Sequence, residues 1–375
     1  MAEWDFLVVG SGIAGASAAA MLSAEASVTL IERESAHGYH TTGRSAALYA
    51  ASYGGVPIRA LTRASRAFYD APPEGFAAHP LLGPRGCLYI ARPDQRADLE
   101  HIRDASVASG VAVEDLGEAQ ALALCPVLRP GYVARAALEP EAMDIDVDAL
   151  HQGYLRLFRS NGGVTRLSSE LVGLQRDAGG WIARLSGGET LTARAVIDAA
   201  GAWADRVAVM AGVRPIGLMP LKRTAVLLDE PPGVSARAWP AVIDAGEQFY
   251  FKPESGKILA SPADEQPSEP CDAYPDDMDV AIGIDRVQQA ADIPVRRVGR
   301  SWAGLRTFAP DRSMVVGYDT HAPGFFWLAG QGGYGVQTAP AAARLAAALA
   351  LRRDAPADIR ELGLDVATVS PARFS

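Results

Sequence analysis

Three glycines spaced Gly10-Ser11-Gly12-Ile13-Ala14-Gly15 stand between an apolar run and an alanine-rich stretch, a spacing suited to holding a diphosphate. Gly10 permits a tight turn, Gly12 lets backbone approach a pyrophosphate, and Gly15 lets a helix and a strand pack closely. A helix starting there offers unpaired N–H groups and a partial positive charge to the phosphates. Glu32 stands 20 residues beyond Gly12, at the end of a second apolar run. A carboxylate in that place hydrogen-bonds the adenosine ribose hydroxyls, and its charge opposes a 2′-phosphate, which disfavours NADP. A solvated strand end is the bland alternative for Glu32. The glycine motif alone leaves NAD and FAD both open.

The elements that must position these residues read as a β-α-β unit: a buried strand over Asp5 to Val9, a helix over Ala16 to Ala24, and a second strand over Ser27 to Ile31. Further on, Leu150, Tyr154, Leu155 and Phe158 give a helix over Asp148 to Arg159 that Asn161-Gly-Gly163 stops. Strand-like runs follow at Val164–Leu167, Leu171–Arg176, Trp181–Leu185 and Ala195–Ala199. Near the end stand a strand over Phe325–Ala329, a glycine-rich turn from Gly330 to Gly335, and a helix from Gln337 onward. Stretches 53–143 and 214–310 are richer in proline, charge and aromatic residues. The economical division is a nucleotide-binding domain of 1–52, 144–213 and 311–375, with a second domain of 53–143 and 214–310 inserted in two pieces.

Composition bounds the remaining choices. With 375 residues, 49% apolar and 21% charged, the chain fits an ordinary globular protein of one large or two smaller domains, not a disordered or collagenous one. A net charge of −9 would repel a phosphate backbone, so nucleic acid is not an expected partner. No apolar run is long enough to span a membrane, and the start, MAEWDFLVVG, has no basic leader, which points to the cytoplasm. Cys87, Cys125 and Cys271 are scattered, giving neither a disulfide framework nor a metal site. No internal repeat is present.

Several further motifs occur in a fixed order: His40-Thr41-Thr42-Gly43-Arg44-Ser45-Ala46-Ala47 after Glu32-Arg33, then Val196-Ile-Asp-Ala-Ala-Gly201-Ala-Trp203, Trp302-Ala-Gly-Leu-Arg306, and Gly330-Gln-Gly332-Gly333-Tyr334-Gly335. With them the chain resembles the D-amino-acid oxidase family of FAD-dependent oxidoreductases nearly from end to end, most closely its D-arginine dehydrogenase branch. The resemblance implies noncovalent FAD and an α/β fold, with a Rossmann-like FAD-binding domain and a mixed-sheet substrate domain. Thr41 to Ala47 is a donor-rich loop suited to pyrophosphate or ribityl oxygens, or else a plain solvated loop. Val172 is expected to read adenine through its backbone, and the turn at Gly201 and Trp203 to run beside the dinucleotide. N–H groups of Gly330 to Gly335 at the last helix would stabilise the negative charge that reduction places on the flavin.

An enzyme of this kind holds an amino-acid carboxylate and places Cα–H over flavin N5 for hydride transfer, which is largely a matter of positioning. The resemblance assigns the carboxylate to Arg306, since a planar guanidinium suits it, with Arg223, Tyr250 and Tyr53 beside it and the Gly332 carbonyl on the amine. Two positions depart from the arginine-selective pattern: Leu48 replaces a histidine and Cys87 an acidic residue. A guanidinium would lose water there without gaining a partner, so the side-chain pocket is expected to take a medium-sized apolar group. The leading expectation is a D-amino-acid dehydrogenase that yields an imino acid, hence a 2-oxo acid and ammonia, and passes electrons to an unidentified acceptor. Its rival is an oxidase of glycine, sarcosine or another secondary amine, with Lys222 as the lysine nearest a proposed site residue. A nucleotide-sensing binding protein without catalysis is the reading from a different class.

Overall fold

The computed structural model describes residues 2–375. Strand β1 (Trp4–Val9) sends Phe6 and Val8 into one apolar core and Leu7 and Val9 into another. That double burial is why it reads as an unbroken apolar run. Helix α1 (Ile13–Leu22) follows, then β2 (Val28–Ile31), paired in parallel with β1. On the other side of β1 lies Thr190–Asp198, also parallel. This strand starts five residues earlier than its apolar run implies. Its first half pairs with the hairpin strand Gly180–Leu185 and its second half with Phe325–Ala329.

A second, nine-stranded mixed sheet carries most of the substrate side. Its centre runs Cys87–Ala91, Ala241–Asp244, Tyr250–Glu254, Lys257–Ser261, Met219–Leu228. Cys87–Ala91 and Ala241–Asp244 pair in parallel, whereas the neighbouring pairings are antiparallel. Ser301–Phe308 adds to the far side of Met219–Leu228. A small sheet of Leu48–Tyr49, Met143–Ile145 and Leu82–Pro84 ties the two bodies together. This is the α/β two-body arrangement expected.

The helix Val56–Asp70 departs from the division expected at residue 53. Ile58, Leu61 and Tyr69 share the core of Phe6, Val8 and Leu345, so this helix packs with the nucleotide-binding body. The reason lies in the last long helix, Gly335–Ala350, which contains Pro340. Proline cannot donate to the carbonyl four residues back. Here the Val336 carbonyl accepts instead from the Tyr69 hydroxyl at 2.5 Å, and Gln337 donates to Thr62 at 2.9 Å.

Candidate active site

One continuous cavity of about 580 Å³ runs from the carboxyl end of β1 to the face of the large sheet. At its first end backbone geometry dominates. Gly10 has φ +97°, and a Cβ on it would lie 2.6 Å from the Ala199 carbonyl oxygen. On Gly15 a Cβ would lie 1.8 Å from the Gly10 oxygen, so that position admits no side chain. Gly12, Ile13 and Ala14 form the wall. The Ile13 N–H donates to Thr42 Oγ1 at 2.9 Å, tying loop 41–45 to the helix start. Glu32 accepts from the Ser11 N–H and hydroxyl at 2.9 and 2.8 Å and from the Glu34 N–H at 3.0 Å, which fixes its carboxylate at the wall. Trp203 closes one side, with the Arg33 guanidinium 5.1 Å and the His40 ring 4.7 Å from its ring.

The residues fit an FAD. The first end has the glycine cradle and the carboxylate for adenosine diphosphate. Farther along, Thr307 lines the cavity with its buried hydroxyl unpartnered, beside Gly332 and Gly333 at the start of the last helix. Gly332 has φ +53°, and a Cβ there would meet the Phe308 ring at 2.2 Å.

Most sequence-selected residues reach this cavity, among them Thr41, Ser45, Ala46, Ala47, Leu48, Gly201 and Gly335. Others serve it from behind. Gly43 closes a turn on the Gly38 carbonyl, Gly330 (φ +72°) turns the chain, and the Tyr334 ring packs on Tyr53 and Phe308. Arg44 lines the cavity, but its guanidinium is taken by Asp272 and by the carbonyls of Ala273 and Ala303, so it serves as a strut to loop 271–273 and is not a free phosphate ligand. Val172 is not on the wall: the residue is 43% exposed, and Ser169, Glu170 and Leu171 close that end. The ladder does skip it, passing from Leu171↔Leu185 to Gly173↔Arg184.

At the second end, side chains dominate. Arg306 lies on the wall, and among the described residues it has no hydrogen-bond partner and no carboxylate within 4.0 Å. Tyr53 and Gly333 converge on it: a Cβ on Gly333 would lie 3.1 Å from Arg306 Nη1 and 3.2 Å from the Tyr53 hydroxyl. Burial works to raise the Tyr250 phenol, but Arg306 and Arg223 outweigh it and hold the group below its ordinary value. An anion is what this corner is charged to receive. Arg223 is less free than expected. Its Nε donates to the Asp264 carbonyl at 2.8 Å and its Nη2 to Glu265 at 3.2 Å, leaving Arg306 as the unpaired guanidinium.

Cys87 does not line the side-chain pocket. It is fully buried in a cluster with Ala50, Leu99 and Ala142, and its place on the wall is taken by Tyr89 and by Ala241, its register partner. Burial pushes its thiol up, away from nucleophilic or redox chemistry. Lys222 turns away to Asp279 at 2.7 Å; the lysine on the wall is Lys252. Sequence reasoning missed Lys252, although it stands two residues from Tyr250 and therefore on the same strand face. It also missed His151, whose Nε2 donates to the Ser11 carbonyl at 2.8 Å beneath the glycine loop. Burial lowers the pKa of that imidazole.

A sequence model of the family described as "DAO: FAD dependent oxidoreductase" matches residues 5–349. The chain is 24% identical over 377 residues to glycine oxidase of Geobacillus kaustophilus, covering 96% of this chain and 97% of that one. With hydrogen cyanide synthase subunit HcnC of Pseudomonas aeruginosa it shares 26% over 231 residues, spanning 60% of this chain and about half (51%) of that one. The crystal structure of the Geobacillus glycine oxidase superposes with a TM-score of 0.84 at 22% identity, covering 99% and 98% of the two chains. That of L-proline dehydrogenase from P. horikoshii does so with a TM-score of 0.85 at 19% identity, covering 100% and 98%.

Proposed function

From the premise that the chain belongs to the DAO family of FAD-dependent oxidoreductases, with FAD as its cofactor, we propose that it oxidises the Cα–N bond of an amino acid held by its carboxylate on Arg306. The carrying observation is the unpaired guanidinium of Arg306 on the cavity wall, flanked by two phenols. A buried charge without a partner is costly, and a substrate carboxylate relieves that cost with charge-assisted hydrogen bonds.

Bound FAD supplies the two-electron acceptor. Arg306 fixes the carboxylate, Tyr53 and Tyr250 bracket it, and Glu265 keeps Arg223 from competing for it. The Gly332 carbonyl, on a residue of the cavity wall, would take an amine N–H, as the resemblance implies. The substrate loses a hydride from Cα and a proton from nitrogen, and the resulting imine takes up water to give a 2-oxo acid and ammonia.

Two finer readings remain in competition. A D-amino acid with a neutral side chain suits the D-arginine dehydrogenase resemblance and the wall of Leu48, Ala241 and Ile243 beyond the carboxylate corner. Glycine, sarcosine or another secondary amine, with oxygen as acceptor, is favoured by the end-to-end likeness to glycine oxidase. Anaerobic bleaching of the bound flavin by D-amino, L-amino and N-methyl acids separates them, followed by turnover with oxygen or a redox dye. Under the first reading D-leucine, D-methionine or D-phenylalanine outperforms D-arginine; under the second, glycine or sarcosine leads. Failure of every carboxylate-bearing amine to bleach the flavin overturns both.

A further inference from the structure

The large sheet turns one cation into the substrate end of the cavity that the carboxylate corner does not use. Lys252 follows Tyr250 by two residues, so both side chains leave the strand on one face, and both line the cavity. The Lys252 ammonium is almost fully buried, donates to Asp144 at 2.8 Å and forms an ion pair with Glu254 at 3.0 Å. Arg85 Nε also donates to Asp144, at 2.7 Å. Asp144 is the register partner of Leu48, which places this cluster at the side-chain pocket. Lys252 lines the cavity, whereas Asp144, Glu254 and Arg85 do not. Of this cluster, a substrate chain reaching this point meets the lysine.

We propose that Lys252 is a specificity-determining residue that sets the class of side chain accepted, excluding chains that end in a cation and admitting those that end in a neutral group or a hydrogen-bond acceptor. Like charges held in a site of low dielectric repel more strongly than in water. Asp144 takes one of the three ammonium hydrogens and Glu254 pairs with the charge, which leaves donor capacity for an acceptor on the substrate. With Leu48, Ala241 and Ile243 as neighbours on the wall, Lys252 presents a charge against a substrate guanidinium or ammonium. This inference rests on the reading of Arg306 as the carboxylate site.

The test uses the FAD-loaded enzyme and two carboxylates that lack an α-amine and cannot be oxidised, hexanoate and 6-aminohexanoate, with binding read from the perturbed visible absorption of the flavin. The expected result is hexanoate binding at least tenfold tighter to the wild type. Lys252→Met, which leaves Asp144 without its ammonium, should bring the ratio below threefold or reverse it, and Lys252→Arg should preserve it. Equal affinity of the wild type for both compounds overturns the inference alone, and needs no variant to fold. A wild type that binds neither compound overturns the carboxylate site, and the inference with it.

Discussion

At its dinucleotide end the cavity is walled mainly by backbone, from the glycine turn after β1 and the short loops near it, whereas at its substrate end it is walled by side chains from five strands of the large sheet. The first end tolerates almost no variation at Gly10 and Gly15, because any Cβ there meets a carbonyl. At the second end the same backbone could carry many pockets, because Leu48, Tyr89, Ile243 and Lys252 can change without moving a strand. The cofactor is thus built into the fold, and the substrate is written on top of it.

Arg306→Met strikes the substrate end where one side chain does most of the work. Loss of a charge-assisted contact of about 1.5–3 kcal/mol should lower kcat/KM by about tenfold or more, with the flavin spectrum of the resting enzyme unchanged. Wild-type efficiency would place the carboxylate elsewhere. Glu32→Ala is the counterpart at the dinucleotide end. Equilibrium dialysis should show FAD held about tenfold more weakly, one hydrogen bond's worth, while KM for the amine stays put; unchanged FAD affinity would show that Glu32 serves only Ser11 and Glu34.

A smaller effect separates the two ends by pH. Unfolded His151 titrates near 6.5, and burial holds the folded imidazole below that value. Above pH 6.5 it contributes no pH dependence; as the pH falls through 6.5 the unfolded chain takes up a proton that the folded one refuses, and stability declines. His151→Gln should therefore flatten the fall in Tm between pH 7 and 5.5 relative to wild type. Parallel Tm curves for the two proteins would count against a neutral His151 under the glycine loop. The smallest effect belongs to Cys87→Ala, which should change kcat/KM for any substrate by less than about twofold, since the side chain sits off the wall. A larger change in substrate preference would put the thiol back in the pocket.

The sequence shows far more of the first end than of the second. Gly10, Gly12, Gly15 and Glu32 are close in the chain and constrained by local geometry, so their spacing reports their job directly. Phe325–Ala329 was legible in the same way, as an apolar run bounded by glycines. Lys252 and Cys87 were not. Whether a strand residue faces a cavity depends on pairing register, here Ala241↔Cys87 and Leu48↔Asp144, which join residues about a hundred or more positions apart. The allegiance of Val56–Asp70 was hidden for a similar reason, since the carbonyl that draws Tyr69 is freed by a proline 271 residues later, from Tyr69 to Pro340.

The interleaving of the two bodies also fixes an order of assembly. Phe325–Ala329 completes the pairing of Thr190–Asp198, and Gly335–Ala350 covers α1, with Ala341 bonded to Ser65 across a sequence separation of 276. During synthesis the nucleotide-binding sheet therefore waits, with an edge unpaired and one face bare, until nearly the whole chain has left the ribosome. Closure over such distances is slow and exposes sticky surface meanwhile. The glycine turn is made first, but the last helix that packs on α1 and lines the cavity beside it is among the last parts of the chain to arrive.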